Sequence, residues 1–173
     1  YVREGTLDFV LLKPIDSQFW VSLRTLSPAG LSEIILGITI VIWSATKAGA
    51  IISIKTFMGS FTLLICGIVI LYSLWFLIAA TSIWFVKTWN ATEVLRAILS
   101  AGRFPVSAYP LTLRIIFTLI IPIAFLTTVP AQLILNKIQT PFIFFGIILA
   151  IAFYTASRMF WKFALRYYTS ASS

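Results

Sequence analysis

The sequence predicts an all-α integral membrane protein, in which an amphipathic segment over residues 1–30 precedes a transmembrane helical domain over residues 31–173. Three properties of the 173-residue chain predict this class: a mean hydropathy of +1.02, a hydrophobic fraction of 60% and a charged fraction of only 10%. Soluble domains carry about 25% charged residues, whereas long apolar runs at this density are typical of helices that cross a bilayer. We therefore expect four transmembrane helices in this chain.

The amphipathic segment begins with a short, capped helix. Thr6 is a good N-cap, and Asp8 lies in the first turn, where the helix dipole favours an anion. Leu7 and Leu11 share one face, and Pro14 ends the helix because it lacks an N–H group. A second amphipathic run follows, with apolar residues at helical spacing: Ile15, Phe19, Leu23 and Leu26.

Four apolar runs are candidate spans. The first has Glu33 near its start and is short for a bilayer unless it extends toward Ile54. The second would reach about 45 Å as one helix, so it must tilt, break or project from the bilayer. The polar residues 87–114 separate the two pairs of spans. In order, the spans cover about residues 31–54, 57–86, 115–135 and 142–160.

Two prolines, Pro122 and Pro130, interrupt the third span. Each removes a backbone hydrogen bond, so the pair predicts either two tolerated kinks or a re-entrant break. A broken helix can line a translocation path or form a gate. Thr127, Thr128 and Gln132 supply polar groups that such a path would use.

Lysine and arginine residues predict the orientation of the spans, because cytoplasmic loops carry an excess of them. Ten cations lie in the amphipathic segment, in residues 87–114 and in or next to the tail 161–173, against three on the opposite side. All three segments are therefore expected in the cytoplasm. The ten are Arg3, Lys13, Arg24, Lys87, Arg96, Arg103, Arg114, Arg158, Lys162 and Arg166, and the three are Lys47, Lys55 and Lys137.

The residue types argue against catalysis, a metal site and nucleic-acid binding. The chain has no His and a single cysteine, Cys66, so it lacks common metal ligands and an internal disulfide. It has no glycine-rich phosphate motif and no base beside a nucleophile. No basic block with interleaved aromatic residues lies outside the spans. We expect no catalytic residue, no metal, no bound cofactor and no nucleic-acid partner.

The segment REGTLDFVLLKP, from Arg3 to Pro14, resembles the cytoplasmic segment that follows the second span in permease subunits of type-2 ABC exporters. Three further motifs resemble one bacterial branch of this family: GRFPVSAYP from Gly102, IPIAFLTTVPA from Ile121 and RYYTSASS at the end of the chain. The likeness covers most of the chain. The matching positions in the first motif are Arg3, Glu4, Gly5, Thr6, Leu7, Asp8, Leu11, Leu12 and Pro14.

This resemblance implies a six-span permease of the bacterial cytoplasmic membrane that pairs with a second copy or a related permease. Separate ABC ATPase subunits would bind ATP and Mg²⁺. The chain would hold the last four spans of a longer protein, which agrees with its start at Tyr1. The family's coupling helix would correspond to residues 7–13. The residues expected to contact the ATPase are Glu4, Gly5, Thr6, Leu7, Asp8, Phe9, Leu11, Lys13 and Pro14.

Two other functions are open on the residues alone. A secondary, ion-coupled transporter would need an acidic group or an unwound polar site inside the spans. A membrane scaffold would not transport, and it would tolerate changes at the two prolines. The first amphipathic helix could also lie in the lipid headgroups without a protein partner. The spans suit amphipathic or lipid-like cargo without selecting one.

Overall fold

The computed structural model describes residues 7–23, 29–49, 53–85, 89–138 and 141–168, which form helices and their connections. Short turns of 3₁₀-helix lie at Val106–Ala108 and Ile123–Phe125, and a π-helical turn lies at Ile116–Ile120. In chain order, the α-helices are α1 (Leu7–Leu11), α2 (Ser17–Leu23), α3 (Ala29–Lys47), α4 (Ile54–Thr81), α5 (Trp89–Ala101), α6 (Leu111–Ile115), α7 (Thr128–Ile134) and α8 (Pro141–Leu165).

Three of these helices, α3, α4 and α8, are long and apolar enough to cross a membrane. The segments Leu111–Ile120 and Ile123–Ile134 pass the same test only as a pair, and they are bent by 77° where they meet. The helical membrane class is therefore confirmed. The predicted count of four spans is reached if the bent pair is one span.

The ends of α4 differ from the predicted span over residues 57–86. The helix starts earlier because Ser53 caps it, with the Ser53 hydroxyl accepting a hydrogen bond from the Thr56 N–H at 3.2 Å. It ends at Thr81, where the Ser82 N–H turns back to the Ala79 carbonyl at 3.1 Å. Its 28 residues still reach about 42 Å, which is longer than the roughly 30 Å apolar core of a bilayer.

α4 and α8 pack against each other in the same direction. A Cβ on Gly59 would touch Ile143 near the start of α8, whereas Phe76 meets Trp161 edge-on near its end, with 5.5 Å between ring centroids. Small residues let the two helices approach closely, as is typical of helix pairs in lipid. The small buried residues are Gly59, Ser60, Gly67, Ser73 and Ala80 on α4 and Gly146, Ala150, Ser157 and Ala164 on α8.

The shared direction of α4 and α8 constrains the chain between them. The chain leaves α4 at one end of the pair and enters α8 at the other. Residues 82–140 must therefore return across the thickness of the bundle. α5 and the bent pair make up this return.

α3 differs from the other long helices because it packs against very little of the described chain. Every side chain from Leu31 to Ser44, including that of Glu33, is exposed, and Ala45 is buried. Its surface is mostly apolar, so lipid can cover it without a hydrophobic penalty. The well-packed part of the molecule is therefore α4, α8 and the bent pair between them.

Candidate functional site

The third predicted span breaks at Pro122, which is one of the two outcomes that the sequence leaves open. The π-helical turn closes with a hydrogen bond from the Ile121 N–H to the Ile116 carbonyl at 2.9 Å. Ile121 then leaves helical geometry, with φ of −122° and ψ of 79°. Pro122 has no N–H to continue the helix, so the chain restarts as the 3₁₀ turn Ile123–Phe125. The bend of 77° results from this restart.

Pro130, in contrast, does not interrupt a helix. It lies in the first turn of α7, where the backbone N–H groups have no helical partner in any case. Its carbonyl accepts a hydrogen bond from the buried Ser60 hydroxyl at 2.8 Å. The expectation that both prolines interrupt the span therefore does not hold for Pro130, which instead helps to join α7 to α4.

The break is closely packed against the long helices. Phe125 is 0% exposed, and Ile123 and Ala124 are also buried. Two glycines make room for it: a Cβ on Gly67 would lie 2.5 Å from the Phe125 carbonyl oxygen, and one on Gly146 would lie 3.1 Å from the Phe125 ring. We call Pro122–Phe125 the vertex.

Two threonines beside the vertex hold the turn that follows α5. The Thr127 hydroxyl donates to the Gly102 carbonyl at 3.0 Å, and the Thr128 hydroxyl accepts from the Val106 N–H at 3.1 Å. Both hydroxyls therefore satisfy backbone groups of this turn and stabilise its position beside the vertex. Gln132 is half-buried on α7 beyond the break. The structure therefore places the turn after α5 in contact with Thr127 and Thr128, two of the residues predicted to line a translocation path. This turn belongs to the predicted cytoplasmic segment 87–114.

A short helix, α1, lies where the coupling helix is predicted, but it ends at Leu11 and does not reach residue 13. A turn follows, with a hydrogen bond from the Lys13 N–H to the Val10 carbonyl at 3.3 Å, and Pro14 prevents helix continuation. The Lys13 ammonium lies 3.7 Å from the centroid of the Trp20 ring, so a cation–π contact closes the connection between α1 and α2.

Two of the residues predicted to contact an ATPase are exposed and apolar. Phe9 is 70% exposed, and Leu11 is exposed beside it. Glu4, Gly5 and Thr6, and the side chains of Leu7 and Asp8, lie outside the described residues. We call residues 7–23 the head.

The head is bonded to α8 through an ion pair that the sequence analysis missed. Arg158 donates to both Asp16 oxygens, with Nη1–Oδ1 and Nη2–Oδ2 distances of 2.7 Å each. The Arg158 Nη1 also lies 3.3 Å from the Gln18 Oε1. This two-pronged geometry fixes direction as well as distance.

Two further hydrogen bonds join α2 to the long helices. The Trp161 Nε1–H donates to the Ser17 hydroxyl oxygen at 3.1 Å, and the Ser22 and Tyr72 hydroxyls lie 2.9 Å apart. α2 therefore contacts both α8 and α4. We call these two bonds and the Asp16–Arg158 pair the head joint.

The electrostatics of Asp16 reflect this pairing. The hydrogen bond from Arg158 lowers the pKa of Asp16 from 3.8 to about 2, and the Phe19 N–H adds to the effect by bonding to Asp16 Oδ1 at 3.0 Å. The same carboxylate therefore pairs with α8 and caps α2. It is ionised at any ordinary pH.

Within the described ranges, no three His, Cys, Asp or Glu side chains come close enough to hold a metal ion. The polar groups at the vertex bond to backbone, and those of the head joint bond to one another. The arrangement is suited to transmitting movement between helices, since it contains fixed contacts and an exposed apolar helix.

A family model described as "ABC-2 family transporter protein" matches residues 1–172. The chain belongs to the ABC-2 transporter family. The resemblance of its motifs is thereby confirmed, and the match includes the head, the vertex and α8. No curated protein and no solved structure matches the chain. This ABC-2 chain is a multi-pass membrane permease domain of the kind that works with ABC ATPases.

Proposed function

We propose that this ABC-2 chain is the permease subunit of an ATP-driven exporter in the bacterial cytoplasmic membrane, and that a separate ATPase subunit drives it. The observation that carries the proposal is the head of an ABC-2 family chain: a short helix, α1, has exposed apolar residues and is joined through α2 to a membrane-spanning helix. A soluble partner that grips α1 could move α8 through these bonds.

In this proposal, the ATPase contacts the coupling-helix residues that the sequence analysis identifies. Phe9 and Leu11 would enter a surface groove of the ATPase, while Glu4 and Asp8 would pair with its basic groups. Leu12, which is also highly exposed, would extend this apolar surface. The ATPase would hold ATP and Mg²⁺ and perform the hydrolysis, and this chain would supply no catalytic group.

The broken helix is the part of the permease proposed to respond. Residues 82–140 return across the bundle through a bend, and a bend between two short arms can change angle more readily than a continuous helix. Pro122 fixes the position of the bend, and Thr127 and Thr128 fix the turn beside it. Pro130 and Gln132 on α7 would then move relative to α6. A second permease copy or a related permease would form the other half of the path.

The proposal is tested by reversing the acidic charges of the coupling helix. Glu4→Lys combined with Asp8→Lys is expected to abolish pull-down of the co-expressed ATPase and the ATP hydrolysis of the membrane complex. Opposite charges across such an interface typically control recognition of the partner. Glu93→Lys is the matched control, since Glu93 is an exposed acid on α5 that pairs with Arg96 of the same helix, and it should leave both measurements unchanged.

Unchanged pull-down and hydrolysis in the double variant would refute the assignment of α1 to the ATPase contact. Transport that persists in membranes stripped of any ATPase would instead support an ion-coupled carrier. If the double variant failed to insert into the membrane while Glu93→Lys inserted normally, the two acids would serve in folding and not in the ATPase contact. This result would also contradict the proposal.

A further inference from the structure

We propose that Asp16 and Arg158 are positioning residues that make the head and α8 move as one body, so that a displacement of α1 reaches the vertex through α8. This inference rests on the proposed function, because it describes how a load on the coupling helix would be transmitted. It concerns the head joint, which shares no residue with the proposed ATPase contact.

The first observation is that α2 depends on the head joint for its position. It has seven residues, and a helix of this length is not stable by itself in water or at an interface. Its capping carboxylate, Asp16, is the same group that pairs with Arg158. The placement of α2 is therefore set by bonds to α4 and α8.

The second observation is the direction in which α2 faces. The sequence pattern places Phe19 on its apolar face together with Ile15, which precedes the helix in the structure, and both are exposed. The side chain turned inward is Gln18, which is 1% exposed, and its Nε2 finds no acceptor among the described residues. Burying an unpaired amide donor is costly. We interpret this cost as the consequence of placing the Gln18 Oε1 where it orients the Arg158 guanidinium, at the expense of an apolar contact.

The third observation is the position of Arg158 on α8. It lies about two turns before the end of the helix, with its side chain 28% exposed, and its charge faces the Asp16 carboxylate. A charged group inside a spanning helix is expensive unless it is paired, and such groups are often functional. Trp161, one turn further along, adds a bond to Ser17 and packs against Phe76 of α4.

A continuous set of contacts then leads from the head joint to the vertex. α8 is an unbroken helix from Leu165 back to Pro141, so a shift at Arg158 also moves Gly146. Gly146 lies against the Phe125 ring, and Phe145 contacts the same ring with centroids 5.9 Å apart. On the other side, α1 is tied to α2 through Lys13 and Trp20. Contiguous packing of this kind allows coupling, and experiment must demonstrate it.

The first test needs no ATPase and examines the joint itself by amide hydrogen exchange of the full polypeptide in lipid nanodiscs. Arg158→Gln and Asp16→Asn each remove the ion pair, while Asn retains the ability to cap α2. Both are expected to raise exchange of the α2 amides about three- to tenfold. Arg166→Gln is the matched control, because Arg166 is an exposed arginine at the same end of α8, and it should leave α2 unchanged.

A charge exchange separates the ion pair from the cap. Asp16→Lys and Asp16→Lys combined with Arg158→Glu both lack the α2 cap, so the difference between them reports the charge interaction between positions 16 and 158. The double variant should exchange more slowly at α2 than the single variant. Equal exchange in the two, or unchanged exchange in Arg158→Gln, would overturn the inference.

The second test asks whether the joint positions the head for coupling or only stabilises it. In the complex with its ATPase, Lys137→Cys places an exposed thiol in the connection between α7 and α8, and its rate of labelling by a maleimide is measured with and without ATP. With the ion pair intact, ATP should change this rate. Arg158→Gln should still bind the ATPase and allow hydrolysis, but ATP should no longer change the labelling rate.

The outcomes distinguish the two levels of the proposal. If ATP has no effect on labelling even with the ion pair intact, the proposed ATP-driven function fails, while the exchange experiment still decides the head joint. If Arg158→Gln responds to ATP like the unaltered protein, or loses ATPase binding altogether, the ion pair is not a coupling element and the inference is wrong.

Discussion

The vertex and the head joint each fix a short segment against the long helices α4 and α8, but they use opposite chemistry. The vertex is apolar, fully buried and shaped by two glycines. The head joint uses an ion pair and hydroxyl bonds, and its two charged side chains are 28% and 41% exposed. Deep in a bundle, backbone groups must be satisfied internally, whereas near a helix end a charged pair can keep part of its hydration. The position of a short segment in the bundle therefore determines which kind of contact can fix it to the long helices.

This comparison predicts that truncating the side chain at the centre of the vertex has the largest effect. Phe125→Ala should lower the free energy of unfolding by about 3–5 kcal/mol, because it leaves a cavity between α4 and α8. Unfolding of the purified protein in mixed detergent micelles measures the change. Phe144→Ala is the matched control, since Phe144 is 67% exposed on α8 and its loss should cost little. Equal effects of the two substitutions would contradict the packing described for the vertex.

A substitution that adds one methyl group gives the next largest effect. Gly67→Ala should lower the free energy of unfolding by about 1–3 kcal/mol, since the new Cβ would meet the Phe125 carbonyl oxygen and the vertex would have to shift. On the exposed α3, Gly37→Ala meets nothing within 4 Å, and alanine is the better helix former, so this control should be neutral or slightly stabilising. The two changes are chemically identical, so their difference measures packing. If Gly67→Ala proved as harmless as Gly37→Ala, the close approach would be wrong.

Local chemistry made parts of both regions predictable from sequence. Pro122 breaks its helix because its ring and missing N–H act on the nearest turn, whatever surrounds it. Hydropathy predicts the long helices α4 and α8. The acid at Asp8 and the helical spacing of Leu7 and Leu11 predict α1, which the structure shows at Leu7–Leu11. Pro130 was misjudged because its effect depends on where a helix begins, and the restart after Pro122 moved that point to Thr128.

Long-range partners could not be predicted in this way. Asp16 and Arg158 are far apart in sequence, and each has a simple alternative explanation: a helix-capping acid and a topology-setting cation. The apolar periodicity of α2 also misleads, because an apolar face in a membrane protein can meet lipid as well as core, and here Phe19 faces outward. An acid placed next to a span, together with a single arginine inside a later span, is the signal that could have indicated the pair.

The turn after α5, next to the vertex, gives a smaller effect. Thr128→Val keeps the shape of the side chain but removes the acceptor of the Val106 N–H, so it should cost about 1 kcal/mol and raise amide exchange at residues 102–109. The control is Thr155→Val, because the Thr155 hydroxyl bonds only to carbonyls of its own helix. Increased exchange that extended equally to α2 would show that the effect of Thr128→Val is not local to this turn.

The smallest effect is the pH dependence of α2 stability at the head joint. Its sign follows from the lowered pKa of Asp16. Asp16 has a pKa of about 2 in the folded protein against 3.8 for the free group, so folding favours its ionised form. The stabilisation of α2 is therefore fully present above about pH 4 and is lost as the pH falls through about 2. Protection factors of the α2 amides should be constant from pH 5 to 8 and should decrease below about pH 4.

Asp16→Asn cannot titrate and should show no such step. A decrease between pH 5 and 8 in the unaltered protein would place the controlling group elsewhere. If instead the Asn variant retained the acid step, the remaining carboxylates would be responsible. Only a step that is confined to acid and abolished by Asp16→Asn supports a charged joint in contrast to an uncharged, pH-independent vertex.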